Sequence, residues 1–219
     1  MKLEKKHIVI IAIIVVIVAI IGAYALGCFD FSEKTEFNNN FISGTFTGNV
    51  TKKPIDSSLN NSEWTDSYVD KVNFIEYNMS CVKNGSVLMD LYSIQGLGRP
   101  EVRDINGVSW NIYYSQAVPT TNTNSTDNSS VMNVYVCQAD NNGASVIIYI
   151  ISSSNKIKCD GSLFCDLYKN YVESLLKSIS FKDNSKAPKL HEVLGLQESD
   201  IPEIVKEIDE VKSNPNFTY

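Results

Sequence analysis

Hydrophobic and polar positions divide this chain into three stretches with different periods. The first is unbroken: from Ile8 to Leu26 every residue is apolar or glycine except Tyr24, and none is charged. Those nineteen residues cover about 28 Å as a helix, close to the ~30 Å hydrocarbon core of a bilayer. Lys2, Lys5 and Lys6 precede the run, and Asp30 and Glu33 come after it. This bias predicts a transmembrane helix within 1–29, with the N-terminus cytoplasmic and the rest of the chain outside. Two processing routes compete with an uncleaved anchor. Ala23-Tyr24-Ala25 fits a signal-peptide cleavage site, and Ala25-Leu26-Gly27-Cys28 resembles a degenerate lipobox that would leave Cys28 lipidated. All three routes export the remainder of the chain.

The second stretch, beyond a polar tether over 30–40, has a period near two. Three Asn-Gly pairs, Asn84-Gly85, Asn106-Gly107 and Asn142-Gly143, each sit between apolar, β-branched or aromatic runs. Asn-Gly supplies the two positive-φ residues of a type I′ turn, so each pair predicts a tight hairpin. The strands expected are 72–83 with 86–94, 101–105 with 108–115, and 131–141 with 144–152, and 41–51 alternates well enough for a seventh. In the first hairpin this register sets Tyr77 opposite Tyr92 and Cys81 opposite Leu88. In the last it sets Cys137 opposite Ile148, Tyr135 opposite Ile150 and Val136 opposite Tyr149. Both faces of that last hairpin are apolar, which predicts a central pair covered on both sides. Residues 119–130 contain no large apolar side chain and read as a loop.

The third stretch is helical. After Asp160 or Ser162 as cap, Phe164, Leu167, Tyr168, Tyr171, Leu175 and Ile179 recur at helical spacing over about 163–178. A polar linker comes next. Asp200 and Glu203 then open a second helix with the stripe Ile201, Ile204, Val205, Ile208 and Val211. The opposite face is acidic. Docking of that stripe on the domain is the expectation, and capture of a partner is the alternative.

Together these elements predict an α+β fold: an antiparallel sheet of about six or seven strands packed by a C-terminal helix and preceded by one transmembrane helix. The extracytoplasmic domain would span 41–182, and 183–219 would be linker and amphipathic helix. Strands followed by a long helix, the Trp110-Asn111-Ile112-Tyr113-Tyr114 strand after an Asn-Gly turn, and the Cys159–Cys165 loop opening the helix carry a resemblance over about 41–181. In these features the chain resembles the PsbP/Mog1-like α/β/α group and small membrane-anchored surface proteins of methanogenic archaea. The resemblance implies a binding or accessory module. It brings no catalytic motif and no site residues.

Composition narrows the function. The formal charge is −6, and removing the +2 of residues 1–26 leaves −8 on the part expected outside. No Lys/Arg cluster lies beyond the membrane flank, which argues against a nucleic-acid partner. The lipid bilayer, and another membrane or envelope protein, are the partners expected. Of five cysteines, four lie in the exported part. Cys159 with Cys165 closes a short loop, leaving Cys81 with Cys137 as a second pair. The spacings do not suit zinc, and no histidine lies near them. Seven N-x-S/T sequons occur, at Asn49, Asn60, Asn78, Asn84, Asn124, Asn128 and Asn216. Chance would give about 3.5 at this composition, so glycosylation of an exported surface is one reading and loop composition the other.

Candidate chemistry is sparse. The two histidines, His7 and His191, flank the membrane run and lie in the tail, so no Ser-His-Asp or Cys-His site is expected in the domain. No metal or cofactor motif occurs. Gly96-Leu97-Gly98-Arg99-Pro100 lacks the third glycine and following helix of a phosphate loop. Glu76 and Asp90 are the carboxylates considered for glycoside chemistry, with solvated strand charges as the default. The expectation is no enzyme. Trp110, Tyr113 and Tyr114 with Arg99 and Arg103 form the candidate binding set, Trp110 opposing Arg103 across the second hairpin. Trp64, between polar residues, reads as a rim residue.

Overall fold

The two most apolar runs beyond residue 41 pair at the middle of a seven-stranded antiparallel sheet. The computed structural model describes residues 33–55, 62–117, 131–154, 156–215 and 217. Its strands are β1 (Lys34–Asn38), β2 (Ile42–Thr47), β3 (Val50–Lys52), β4 (Thr65–Asp70), β5 (Ile75–Lys83), β6 (Glu101–Ile105), β7 (Val108–Ala117), β8 (Met132–Asn141), β9 (Ala144–Ser152) and β10 (Ser180–Phe181). Its helices are α1 (Gly85–Tyr92), α2 (Glu173–Ser178, entered through a π-helical turn Tyr168–Val172), α3 (Leu190–Leu194) and α4 (Ile201–Ser213).

The main sheet runs β3-β4-β5-β9-β8-β7-β6, and β1-β2-β10 form a second sheet. The β8–β9 hairpin has the expected register, with Cys137 opposite Ile148 and Tyr135 opposite Ile150. Asn142 and Gly143 both adopt positive φ, as a type I′ turn demands. The β6–β7 hairpin also forms as expected, with Arg103 opposite Trp110. Both faces of β8 and β9 are covered. On one side the π turn, α2 and the small sheet bury Phe37, Phe46, Tyr77, Tyr135, Val172 and Leu175 against the main sheet. On the other side α1, α3 and the start of α4 cover Val82, Tyr113, Val136 and Ile147.

The first expected hairpin does not form. Asn84 takes positive φ, but Gly85 begins a helix, and β5 pairs with β4 and β9 instead. The segment after Asn84 is rich in Leu and Met, which are good helix formers, whereas β9 is dense in Ile and Val. Strand pairing of β5 therefore goes to β9, and Met89 is buried on the sheet face from α1. The tight turn lies one strand earlier, between β4 and β5. There the Asp70 carboxylate accepts the backbone N–H groups of Val72 and Asn73 at 2.9 and 3.0 Å.

Two further expectations are corrected. Lys34–Asn38, expected within the polar tether, is strand β1, its Phe37 buried against Phe46 at 4.5 Å between ring centroids. The strand expected over 41–51 belongs to the small sheet as β2, while β3 opens the main one. The helix around 166–178 forms with its expected apolar face. α4 docks: Ile208 is 3% exposed, Ile204 is half-buried, and Lys212 Nζ lies 2.5 Å from Asp90 Oδ1 of α1. Among the described residues no helix is long and apolar enough to cross a membrane. The expected span from Ile8 to Leu26 and the loop 119–130 lie outside the described residues.

Candidate functional site

The outer strands of the main sheet are left bare on the face that α1 covers farther in. On that face β4 contributes Thr65 and Ser67, β5 contributes Glu76, Asn78 and Ser80, and β9 contributes Tyr149, because alternate residues of a strand share a side. With Lys53, Pro54 and Ile55 after β3 they line a recess of about 420 Å³. Its polar groups are already ordered by one another. Ser67 Oγ donates to Asn78 Oδ1 at 2.7 Å, and Asn78 Nδ2 donates to Glu76 Oε1 at 3.1 Å. Lys53 Nζ lies 3.0 Å from the same Glu76 oxygen. The ammonium beside it, then the Asn78 amide, hold the Glu76 carboxyl below the usual carboxylate range. Burial and the Tyr92 hydroxyl push the Tyr149 phenol up, so it stays neutral. The recess thus presents one cation, one anion, an amide and hydroxyls beside an aromatic ring. That donor set suits a small polar ligand.

The aromatic and arginine set expected as a binding site is not brought together. Trp110 is fully buried and stacks on Phe181 at 5.9 Å. Tyr113 lies on the opposite face of the sheet, in the cluster under α1. Tyr114 donates its hydroxyl to Asn133 Oδ1 at 2.8 Å. Arg103 lies over the Phe164 ring at 4.3 Å rather than on Trp110, and Arg99 sits in the exposed loop before β6. Alternation along β7 decides this, since Trp110 and Tyr114 point one way and Tyr113 the other. Trp64, expected at a rim, is buried and stacks on Phe41 at 6.4 Å. Glu76 and Asp90 do not form an acid–base pair, because each is engaged by a different lysine on a different element.

Cys159 and Cys165 form the expected disulfide, with Cα atoms 5.0 Å apart. Cys81 and Cys137 do not. Both are buried free thiols, on β5 and β8, and β9 runs between those strands. Two strand spacings are about 9.6 Å, beyond the ~7 Å a disulfide bridges. Burial pushes the Cys81 thiol up to about 12. Among the described residues no group of three or more His, Cys, Asp or Glu side chains is placed to hold a metal ion. Of the sequons, Asn49 and Asn84 are exposed, whereas the Asn78 amide is occupied inside the recess. Asn60, Asn124, Asn128 and Asn216 lie outside the described residues.

The recess escaped sequence reasoning because its residues come from three strands whose order only pairing establishes. The one available signal was the polar alternation of Glu76, Asn78 and Ser80 within an otherwise apolar run.

No family model and no curated protein matches the chain. Solved structures do. A protein of Bacteroides thetaiotaomicron is 11% identical with a TM-score of 0.43, over 84% of this chain and 72% of its own. The cyanobacterial PsbP protein (CyanoP) of Synechocystis is 10% identical with a TM-score of 0.43, over 70% of this chain and 95% of its own.

Proposed function

We propose that this protein is a noncatalytic binding or accessory module, held outside the cell membrane by a single span at Ile8 to Leu26. Its ligand, a small polar component of the envelope, enters the recess between β3, β4, β5 and β9. The recess is the observation that carries this reading. Its volume, about 420 Å³, lies in the range of small-molecule sites, and its charged and amide groups are fixed before any ligand arrives. Support for the anchor comes from the uncharged apolar run and its flanking lysines. Support for export comes also from the Cys159–Cys165 disulfide, since such bonds persist in oxidising compartments. The reading against an enzyme rests on the engagement of Ser67 Oγ by Asn78 and of Glu76 by Asn78 and Lys53, which leaves these groups holding one another.

The test is titration of the full chain, in lipid nanodiscs, with fractionated envelope material while the methyl signals of Ile55 and Thr65 are followed. Binding in the recess moves those signals first, and Asn78→Ala together with Lys53→Ala weakens it at least tenfold. Ligand capture that is equal in the double variant refutes the site.

A second reading, a structural or assembly subunit that docks through its C-terminal region, is favoured by Val193, Leu194 and Leu196. These apolar side chains are exposed around the end of α3, just before α4. Loss of a co-purifying membrane protein on Val193→Ser with Leu196→Ser, with the recess titration unchanged, supports that reading over the first.

A further inference from the structure

The β4–β5 turn carries an apolar tip that sequence periodicity did not single out. Its residues are Lys71, Val72, Asn73 and Phe74. Val72 is 62% exposed and Phe74 is 55% exposed. Phe74 also holds a φ of 54°, a left-handed conformation that a bulky aromatic rarely adopts and that a turn ordinarily assigns to Gly or Asn. The turn does not need Phe74 for its own stability. Asp70 satisfies the turn amides, and the Phe74 carbonyl accepts the N–H of Ser153 whatever the side chain. An aromatic ring kept in that backbone and aimed at solvent points to a surface that receives it.

Chain course and charge identify the surface. β1 begins at Lys34, opposite Thr47, and Thr35 Oγ1 donates to the Gly48 carbonyl at 2.7 Å. Gly48 lies so close to the turn that a Cβ there would meet Asp70 Oδ2 at 2.5 Å. The chain therefore enters the domain at the end that bears Val72 and Phe74. From Leu26, where the predicted span closes, to Lys34 an extended chain reaches no more than about 29 Å. Val131, also exposed, immediately precedes β8 at this same end, since Asn133 and Ile75 both pair with Ser152 of β9. The cations Lys71 and Lys156 flank the tip, the latter 5.9 Å from the Phe74 ring, while the carboxylate of Asp70 is fully buried. On an exported part carrying −8 overall, an apolar tip flanked by Lys71 and Lys156 complements an anionic bilayer surface.

We infer that Val72 and Phe74 insert into the interfacial region of the bilayer that anchors the chain, with Lys71 and Lys156 on its headgroups. This rests on the anchor part of the proposed function. The tip then fixes which end of the domain faces the membrane, about 5–10 Å deep for the ring.

The test uses the full chain reconstituted in vesicles of phosphatidylcholine and phosphatidylglycerol, with Phe74→Trp, Val72→Trp and, as control, Val102→Trp on the edge strand β6. Val102 is 61% exposed, and the native tryptophans Trp64 and Trp110 are buried, so their emission is a constant background. The result expected is that brominated phosphatidylcholine removes most of the emission added by F74W and V72W, that aqueous iodide does not, and that V102W behaves the opposite way. The proposal is overturned if F74W and V72W are quenched by iodide as V102W is. Flotation and alkaline extraction of the same vesicles separate the two readings. A chain that stays with the lipid while its tip remains in water overturns the tip alone. A chain that washes off overturns the anchor and the tip with it.

Discussion

Replacing Ile208 by Ala tests whether the C-terminal helix is part of the folded unit. Ile208 is 3% exposed at the interface of α4 with the rest of the domain, whereas Val211, one turn on, is 37% exposed. I208A removes the Cγ1, Cγ2 and Cδ1 carbons. At about 0.8 kcal/mol per buried carbon the transfer loss is about 2.4 kcal/mol. A residual cavity adds to this, but half-buried neighbours on a surface helix can relax into it, so the total stays at about 2–3 kcal/mol. For a domain of this size each kcal/mol lowers Tm by about 2–4 °C, giving a drop of about 4–12 °C. Val211→Ala should cost less than about 1 kcal/mol, because much of that side chain is already in water. Thermal unfolding of the full chain followed by circular dichroism measures both. Hydrogen exchange over 201–213 reports whether the loss is global or a local undocking. If I208A lowers Tm no more than V211A, or if the α4 amides exchange freely in the unsubstituted protein, the helix is not docked in solution and the reasoning fails.

Other consequences can be measured separately. Reduction of Cys159–Cys165, or Cys159→Ser with Cys165→Ser, should cost about 2 kcal/mol for so short a loop, read as a lower denaturation midpoint. In the native protein Cys81 and Cys137 should resist alkylation at neutral pH and react after unfolding, because burial keeps both thiols protonated; rapid native labelling of either contradicts their placement. Glu76 has a lowered folded pKa, so its contribution to stability is present above about 4.5 and fades as pH falls below that toward the folded value. Lys53→Met should bring the Glu76 carboxyl part of the way back up in a carbon-detected titration and shrink that acid-limb loss, the Asn78 hydrogen bond remaining, and an unchanged titration shows the ion pair is not formed. Trp110→Ala should destabilise by about 3–5 kcal/mol while leaving ligand titration of the recess unmoved, since the ring is core and not site.

What the sequence determined by itself rests on neighbours along the chain. The β8–β9 and β6–β7 registers came from Asn-Gly turns, because a two-residue loop leaves one way to pair the flanking strands. The apolar face from Phe164 to Ile179 came from helical spacing, and the Cys159–Cys165 bridge from a short loop. Tertiary structure decided whatever depended on competition between distant segments. β5 had two possible partners, the Leu- and Met-rich run after Asn84 and the Ile- and Val-rich β9. The sheet chose β9, which left Asn84-Gly85 to open a helix and placed a strand between Cys81 and Cys137. β4 was hidden for a different reason. Its buried face is Asp66, Tyr68 and Asp70, made tolerable by the Tyr68 hydroxyl donated to Asp66 at 2.9 Å, by Lys52 and by the turn amides. A hydropathy pattern cannot see those compensations, because they come from partners that only the fold supplies. The recess on the other side of β4 and the exposed Phe74 at its end share that origin: pairing of β4 with β5 aligned the polar faces and set the turn between them.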